Sequence, residues 1–200
     1  MQPYLTNPLG LLDGSVTVQA GVVDTLNNMG SGSTTITFDV LPGFYQWATA
    51  SNLIPGVTDA PLQDANCDGT PNIQHFSEDT DPLGNGGDEG KRRLALDFVD
   101  GDNYLTLTTP IRRGAVFSGS PSPSATVDGV YYRIEGDPSL TGGWILPVLE
   151  VVPALSNGLP PLRDLTGDGT PEWEYRSFRL ADPRSAHPRS FLRIGVAPSP

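Results

Sequence analysis

The sequence predicts an all-β protein, mainly an antiparallel β-sandwich, with a short helical segment and a calcium-type loop. Three observations predict it. Residues 91–200 alternate apolar and polar side chains in short runs separated by turn residues, the pattern of strands with one buried face. The chain carries 20 Pro and 23 Gly, which fits many turns and short elements. Asp64-Ala-Asn66-Cys-Asp68-Gly69 places oxygen side chains at alternate positions ahead of a glycine, as calcium loops do.

The elements follow in order. SVTVQA at 15–20 and STTITFDV at 33–40 alternate around a turn-rich stretch, which reads as two strands joined by a loop. Residues 1–41 are therefore expected to form a short β segment, one that would suit the tail of an upstream domain. Pro42-Gly43 breaks the pattern. In FYQWATASNL, Phe44, Trp47 and Ala48 fall at helical spacing, and we expect a short helix with an aromatic core face. Pro71 precedes a turn or two of helix at Asn72–Phe76, with Ile73 and Phe76 inward. LGNGGDEG at 83–90 has Leu83 as its only apolar residue and ends the second segment, 42–90.

From 91 to 200 the sequence reads as a sandwich of about seven strands. Leu94, Leu96 and Phe98 share one face, and Asp100-Gly101 turns the chain into DNYLTLTTP at 102–110 as a hairpin. IRRGAVFSG at 111–119 gives a short strand, and 120–129 a Ser/Pro loop. Val130, Tyr132 and Ile134 alternate with Tyr131, Arg133 and Glu135. Runs at 144–152, 173–180 and 190–196 complete the set, with Pro147 marking an edge or bulge. Leu94, Leu96, Phe98, Val130, Tyr132 and Ile134 are the expected core.

Charge narrows the function classes. The net charge is −11, and residues 1–90 contain no Lys or Arg and 11 acids. Such a half excludes a nucleic-acid partner, which needs clustered cations, and suits metal ions. Cys67 is the only cysteine, so no internal disulfide forms and no cysteine zinc cage exists. The amino terminus lacks a basic, then apolar, leader pattern, and no run reaches the length of a membrane span. An exported parent would make this chain a piece of it.

The Asp64 loop carries the functional reading. With Asp64 at position one, Asn66 and Asp68 are three and five, Gly69 is six, Thr70 offers its carbonyl at seven and Asn72 stands at nine. Position twelve, where such loops place a bidentate Glu, is His75. Glu78, Asp79 and Asp81 are the nearest carboxylates to replace it. The plain alternative is an Asx-rich turn, but three oxygens at alternate positions before Gly exceed what a turn requires. A second, weaker copy comprises Asp164, Thr166, Asp168, Thr170 and Glu172, with Tyr175 at twelve. The expected cofactor is weakly bound Ca2+.

Catalysis finds little support in the sequence. The two histidines, His75 and His187, have no recognisable nucleophile motif beside them. Glu172 and Glu174 stand two apart rather than across a cleft. The arginines at 92, 93, 112, 113, 176 and 179 are expected on outer faces, paired with acids.

Tyr45-x-Trp47-Ala48, the Asp64–Asn72 loop, Phe76, Thr80-Asp81-Pro82, Tyr104-Leu-Thr-Leu, Tyr132-Arg-Ile-Glu-Gly136, Trp173-Glu-Tyr-Arg176 and Phe191-Leu-Arg193 together resemble a known module. It is the carboxy-terminal accessory module of large secreted proteins of verrucomicrobial type, whose loop is similar to dockerin and thrombospondin type 3 calcium loops. The resemblance covers about residues 44–196. It implies Asp64, Asn66, Asp68 and Asn72 as calcium ligands, and a Glu where this chain has His75. The expected function is a non-catalytic, extracellular or cell-surface accessory module, not an enzyme. It would be calcium-braced and structural or adhesive, with neighbouring domains of a larger secreted protein as partners. The alternatives are a carbohydrate-binding module that uses Trp144 and Trp173 on a polysaccharide, and a fragment of a glycoside hydrolase.

Overall fold

A computed structural model describes residues 14–23, 29–38, 43–84, 90–140 and 142–199. The amino-terminal leader question and most of the 83–90 connection lie outside these residues. The chain divides into two units, Met1–Pro42 and Gly43–Pro200. The first contains a hairpin of β1 (Gly14–Val23) and β2 (Met29–Phe38), antiparallel with Gly14 opposite Phe38 and Val23 opposite Met29.

Among its described residues the second unit is all-β apart from two helices of seven residues, α1 (Phe44–Ala50) and α2 (Asn72–Glu78). Its strands are β3 (Arg93–Val99), β4 (Asp102–Arg112), β5 (Ser124–Val127), β6 (Val130–Asp137), β7 (Val148–Val151), β8 (Trp173–Leu180) and β9 (Phe191–Pro198). They form two antiparallel sheets, ordered β3-β4-β8-β7 and β5-β6-β9. The β3–β4 and β5–β6 connections are two-residue turns, Asp100-Gly101 and Asp128-Gly129, with φ positive at both positions. That geometry matches the twist of adjacent strands and favours Asp-Gly.

Leu107 and Phe178 of the larger sheet meet Ile134 and Leu192 of the smaller one in the core between the sheets. A second core gathers Phe44, Trp47, Ile73 and Phe76 of the helices against Ile111, Tyr132 and Trp173. The helical segment therefore folds onto the ends of β4, β6 and β8 rather than standing apart. Phe76 packs on Phe44, Trp47 and Trp173 with ring centroids 5.4–6.2 Å apart, a spacing that favours edge-on aromatic contacts.

Val130, Tyr132 and Ile134 are buried as expected. Leu94, Leu96 and Phe98 are not: they are 56%, 47% and 73% exposed. Leu94 lies opposite Leu107 and Leu96 opposite Leu105, so the leucines do occupy the core-side face. β3 is an edge strand of a four-stranded sheet, however, and the sheet facing it has only three strands. Other elements differ more modestly. β4 runs on through Pro110 to Arg112, taking in the start of the expected 111–119 strand. The supposed Ser/Pro loop contains β5. The 144–152 run contracts to β7, after a single bridge from Leu146 to Gly136.

Candidate metal centre

The Asp64 loop folds around its own backbone. The Asp64 carboxylate accepts the Gly69 N–H at 2.7 Å and the Asp68 N–H at 3.2 Å. Asn66 Oδ1 accepts that same Asp68 N–H at 3.2 Å, so the oxygens of positions one and three converge on one group. Asp68 Oδ1 takes the Thr70 N–H at 2.7 Å, and Asn66 Nδ2 donates to Asp68 Oδ2 at 3.0 Å. Gly69, with φ near +91°, makes the sharp turn that a Cβ would strain. Burial pushes the Asp68 carboxyl up, but hydrogen bonds from Thr70 and Asn66, together with the nearby imidazole, hold it below its ordinary value.

Asn72, at position nine, is fully buried at the start of α2. Its Nδ2 donates to the carbonyls of Thr58 and Ala60 at 2.7 and 2.9 Å, and its N–H donates to Gln63 at 2.7 Å. Asn72 thus latches the chain that leads into the loop. His75, at position twelve, is 2% exposed. Its Nδ1 lies 2.8 Å from Thr80 Oγ1. Its Nε2 is buried without a hydrogen-bond partner, 4.0 Å from Asp68 Oδ2.

The carboxylates expected to replace a position-twelve Glu are engaged elsewhere. Glu78 pairs with Arg92. Asp79 is fully buried, with Lys91 Nζ at 2.9 Å, Arg163 Nε at 2.5 Å and the Arg163 N–H at 2.9 Å. Asp81 accepts the Leu83 N–H at 2.9 Å. Among the described residues, no three His, Cys, Asp or Glu side chains gather into a cluster suited to a metal. The loop's donors are instead mixed: two carboxylates, an amide and, by the spacing, the Thr70 carbonyl.

The Asp164 loop repeats the turn. Gly169 N–H reaches Asp164 Oδ2 and Thr170 N–H reaches Asp168 Oδ1, both at 2.7 Å, the same bonds at the same positions as in the first loop. Thr166 Oγ1 lies 3.3 Å from Asp164 Oδ1. Burial pushes Asp164 up, yet the Gly169 and Gly167 N–H groups bring its carboxyl below the ordinary value. Glu172 is buried and accepts the Leu165 and Thr166 N–H groups at 2.8 and 3.0 Å. Tyr175, at position twelve, donates to the Pro160 carbonyl at 2.7 Å. Burial, then the charge of Asp79, pushes its phenol up to about 12. This second loop is closed by its own protein groups.

Several expectations need correction. Trp173 is 1% exposed and donates to the Phe76 carbonyl at 2.7 Å, and Trp144 lies beneath the Arg193 guanidinium, 3.7 Å from the ring centre. The two tryptophans form no shared sugar platform. As the sequence indicates, Glu172 and Glu174 do not stand across a cleft: Glu172 is buried and caps its loop, while Glu174 binds Arg176 at 2.7 Å. Arg112 is no outer-face charge. It is fully buried between the Phe76 and Trp173 rings, at 4.7 and 4.5 Å, and bonds Asp128 Oδ2 at 2.9 Å. Arg92, Arg93, Arg176 and Arg179 do pair with acids. The Arg112–Asp128 and Asp79–Arg163 contacts escaped sequence reasoning because their partners lie 16 and 84 residues apart. Asp128-Gly129, a hairpin signal between SATV and VYYR, was legible.

Comparison with protein-family models, with curated proteins and with solved structures found no match for this chain. The site must therefore be read from its own geometry.

Proposed function

We propose that this chain is a non-catalytic accessory module of a larger extracellular or cell-surface protein, with the Asp64 loop holding a divalent cation, calcium by its oxygen donors. One observation carries the reading. The loop ends where α2 begins, and α2 drives Ile73 and Phe76 into the core shared with Ile111, Tyr132 and Trp173. An ion that fixes the loop therefore fixes the junction between the helices and the sheets. The resemblance to secreted modules with loops of this kind supports the same role. The uncovered stripe of Leu94, Leu96 and Phe98 supports packing against a neighbouring domain, since contiguous exposed apolar patches mark interaction surfaces.

With two carboxylates and no Glu at position twelve, affinity falls in the extracellular range, on the order of 10⁻⁴–10⁻³ M. Calcium at one hundred times Kd would stabilise the fold by about 2.7 kcal/mol through mass action. The test is a melting scan in calcium and in chelator. The melting temperature should rise with calcium, and Asp68→Ala should remove the rise. A melting temperature of the unsubstituted chain that calcium leaves unchanged would refute calcium as the bracing ion.

A further inference from the structure

We infer that His75 is the position-twelve ligand of this loop, and that its nitrogen turns the site toward first-row divalent ions such as Zn2+ and Co2+, and away from Ca2+. The inference rests on the loop being a cation site, as proposed above, and changes which ion it selects. His75 lies inside the protein, yet Nε2 has no hydrogen-bond partner. Burying a polar atom without a partner is costly, so the orphaned nitrogen calls for an explanation. The nitrogen is 4.0 Å from Asp68 Oδ2. Zinc binds imidazole nitrogen at about 2.0–2.1 Å and carboxylate oxygen at about 2.0–2.2 Å. A tetrahedral ion with those bond lengths holds two ligand atoms about 3.4 Å apart, so binding needs the loop carboxylate to move about half an ångström toward the fixed helix.

The other ring nitrogen supports the assignment. Nδ1 lies 2.8 Å from Thr80 Oγ1; in the tautomer that metal binding requires, Nδ1–H donates to that hydroxyl and Nε2 offers a lone pair on the side of Asp68. Metal-ligating histidines are commonly held in this way, by a hydrogen bond from the second nitrogen that fixes tautomer and ring orientation. α2 supplies rigidity, because Ile73 and Phe76 on either side of His75 are locked in the core. Asp68 supplies the loop oxygen nearest the ring, and Asp64 and Asn66, hydrogen-bonded to the loop's own backbone, would turn to the ion on binding. A hard ion such as calcium selects oxygen, whereas imidazole suits zinc and its first-row neighbours. The substitution of His for Glu at twelve thus exchanges one ligand chemistry for another.

The experiment uses the full chain carrying Cys67→Ser and His187→Ala. These changes remove the exposed thiol within the loop and the only other histidine, so any imidazole bound to metal is that of His75. Calorimetry and melting scans compare Zn2+, Co2+ and Ca2+ added alone, and NMR follows the single imidazole during cobalt addition. We expect zinc or cobalt to bind at least ~10-fold tighter than calcium, with large paramagnetic shifts of the His75 ring protons. His75→Glu should reverse the order of ions. Stabilisation by calcium alone, with an unshifted imidazole, would overturn the role of His75 and leave the cation-braced loop standing. Failure of all three ions would overturn both. The NMR arm needs no substitution at position 75, so it decides the matter even if His75 variants do not fold.

Discussion

Arg112 shows how much one side chain can organise. Its guanidinium is flanked by two aromatic rings and bonded to Asp128, and its backbone N–H donates to the Tyr132 hydroxyl at 3.2 Å. That hydroxyl in turn donates to the Ser77 carbonyl at 3.3 Å. Burial raises the Tyr132 phenol far above its ordinary range, so the ring stays neutral and can serve as a relay of hydrogen bonds. A desolvated cation between aromatic faces gains from their quadrupoles, and its planar fork suits a carboxylate partner. Arg112→Ala should lower stability by about 3 kcal/mol, since removing one partner of a buried pair typically costs about 3–5. Asp128 is only partly buried, so water compensates some of the loss. Chemical denaturation of the two proteins checks the value.

At the scale of elements, β3 and β6 have the same alternation and opposite fates. β6 lies centrally in its sheet, between β5 and β9, and β3 lies at an edge. Ile134→Ala should cost about 2–4 kcal/mol, in the range of fully buried large-to-small changes. Leu96→Ser should change stability by less than about 1 kcal/mol, because little water-free contact is lost. Denaturation midpoints of the two variants test the difference. A large loss at Leu96 would mean that the stripe is covered in solution. β3 also offers a pH test. Burial pushes Asp97 up, but the Thr106 hydroxyl and Arg93 bring its carboxyl below the ordinary value. The folded state therefore prefers the charged form. Its contribution is present above the ordinary carboxylate range and is lost as pH falls through the depressed folded value. Asp97→Asn should flatten the acid limb of a stability-versus-pH curve and lower stability at neutral pH.

For the second unit as a whole, Asp79 joins segments distant in sequence. It sits in the left-handed conformation at the end of α2, receives Lys91 from the approach to β3 and receives Arg163 from the segment before the second loop. Lys91 and Asp79 are both almost completely buried. A carboxylate ringed by charge-assisted donors is strongly held, and its loss removes the negative charge facing a buried ammonium, which still donates to the carbonyl of residue 79. Asp79→Ala should therefore cost about 3–5 kcal/mol, comparable with removing a core side chain and far more than Asp100→Ala at the exposed Arg179 pair, where surface pairs contribute about 0–1 kcal/mol. Thermal melts of the two variants make the comparison.

The sequence by itself determined what depends on near neighbours. Strand alternation located β6 and its buried residues, helical spacing located Phe44, Trp47 and Ala48, and the Asp-x-Asn-x-Asp-Gly spacing located a loop that closes on its own N–H groups. Each of these is a property of a few consecutive residues, fixed by backbone geometry and short-range hydrogen bonding. Alternation reports which side chains share a face, and it assigned Leu94, Leu96 and Phe98 to the core-side face of β3. Whether another layer covers that face depends on the strand order of the opposing sheet, which no local pattern encodes. The same holds for Trp173, drawn inward by Phe76 of α2, 97 residues away, and for Arg112, buried because two rings and a carboxylate from separate elements meet around it. His75 combines the two levels. Its place at position twelve is written in the sequence, but only the packing of α2 buries its ring and turns Nε2 toward Asp68.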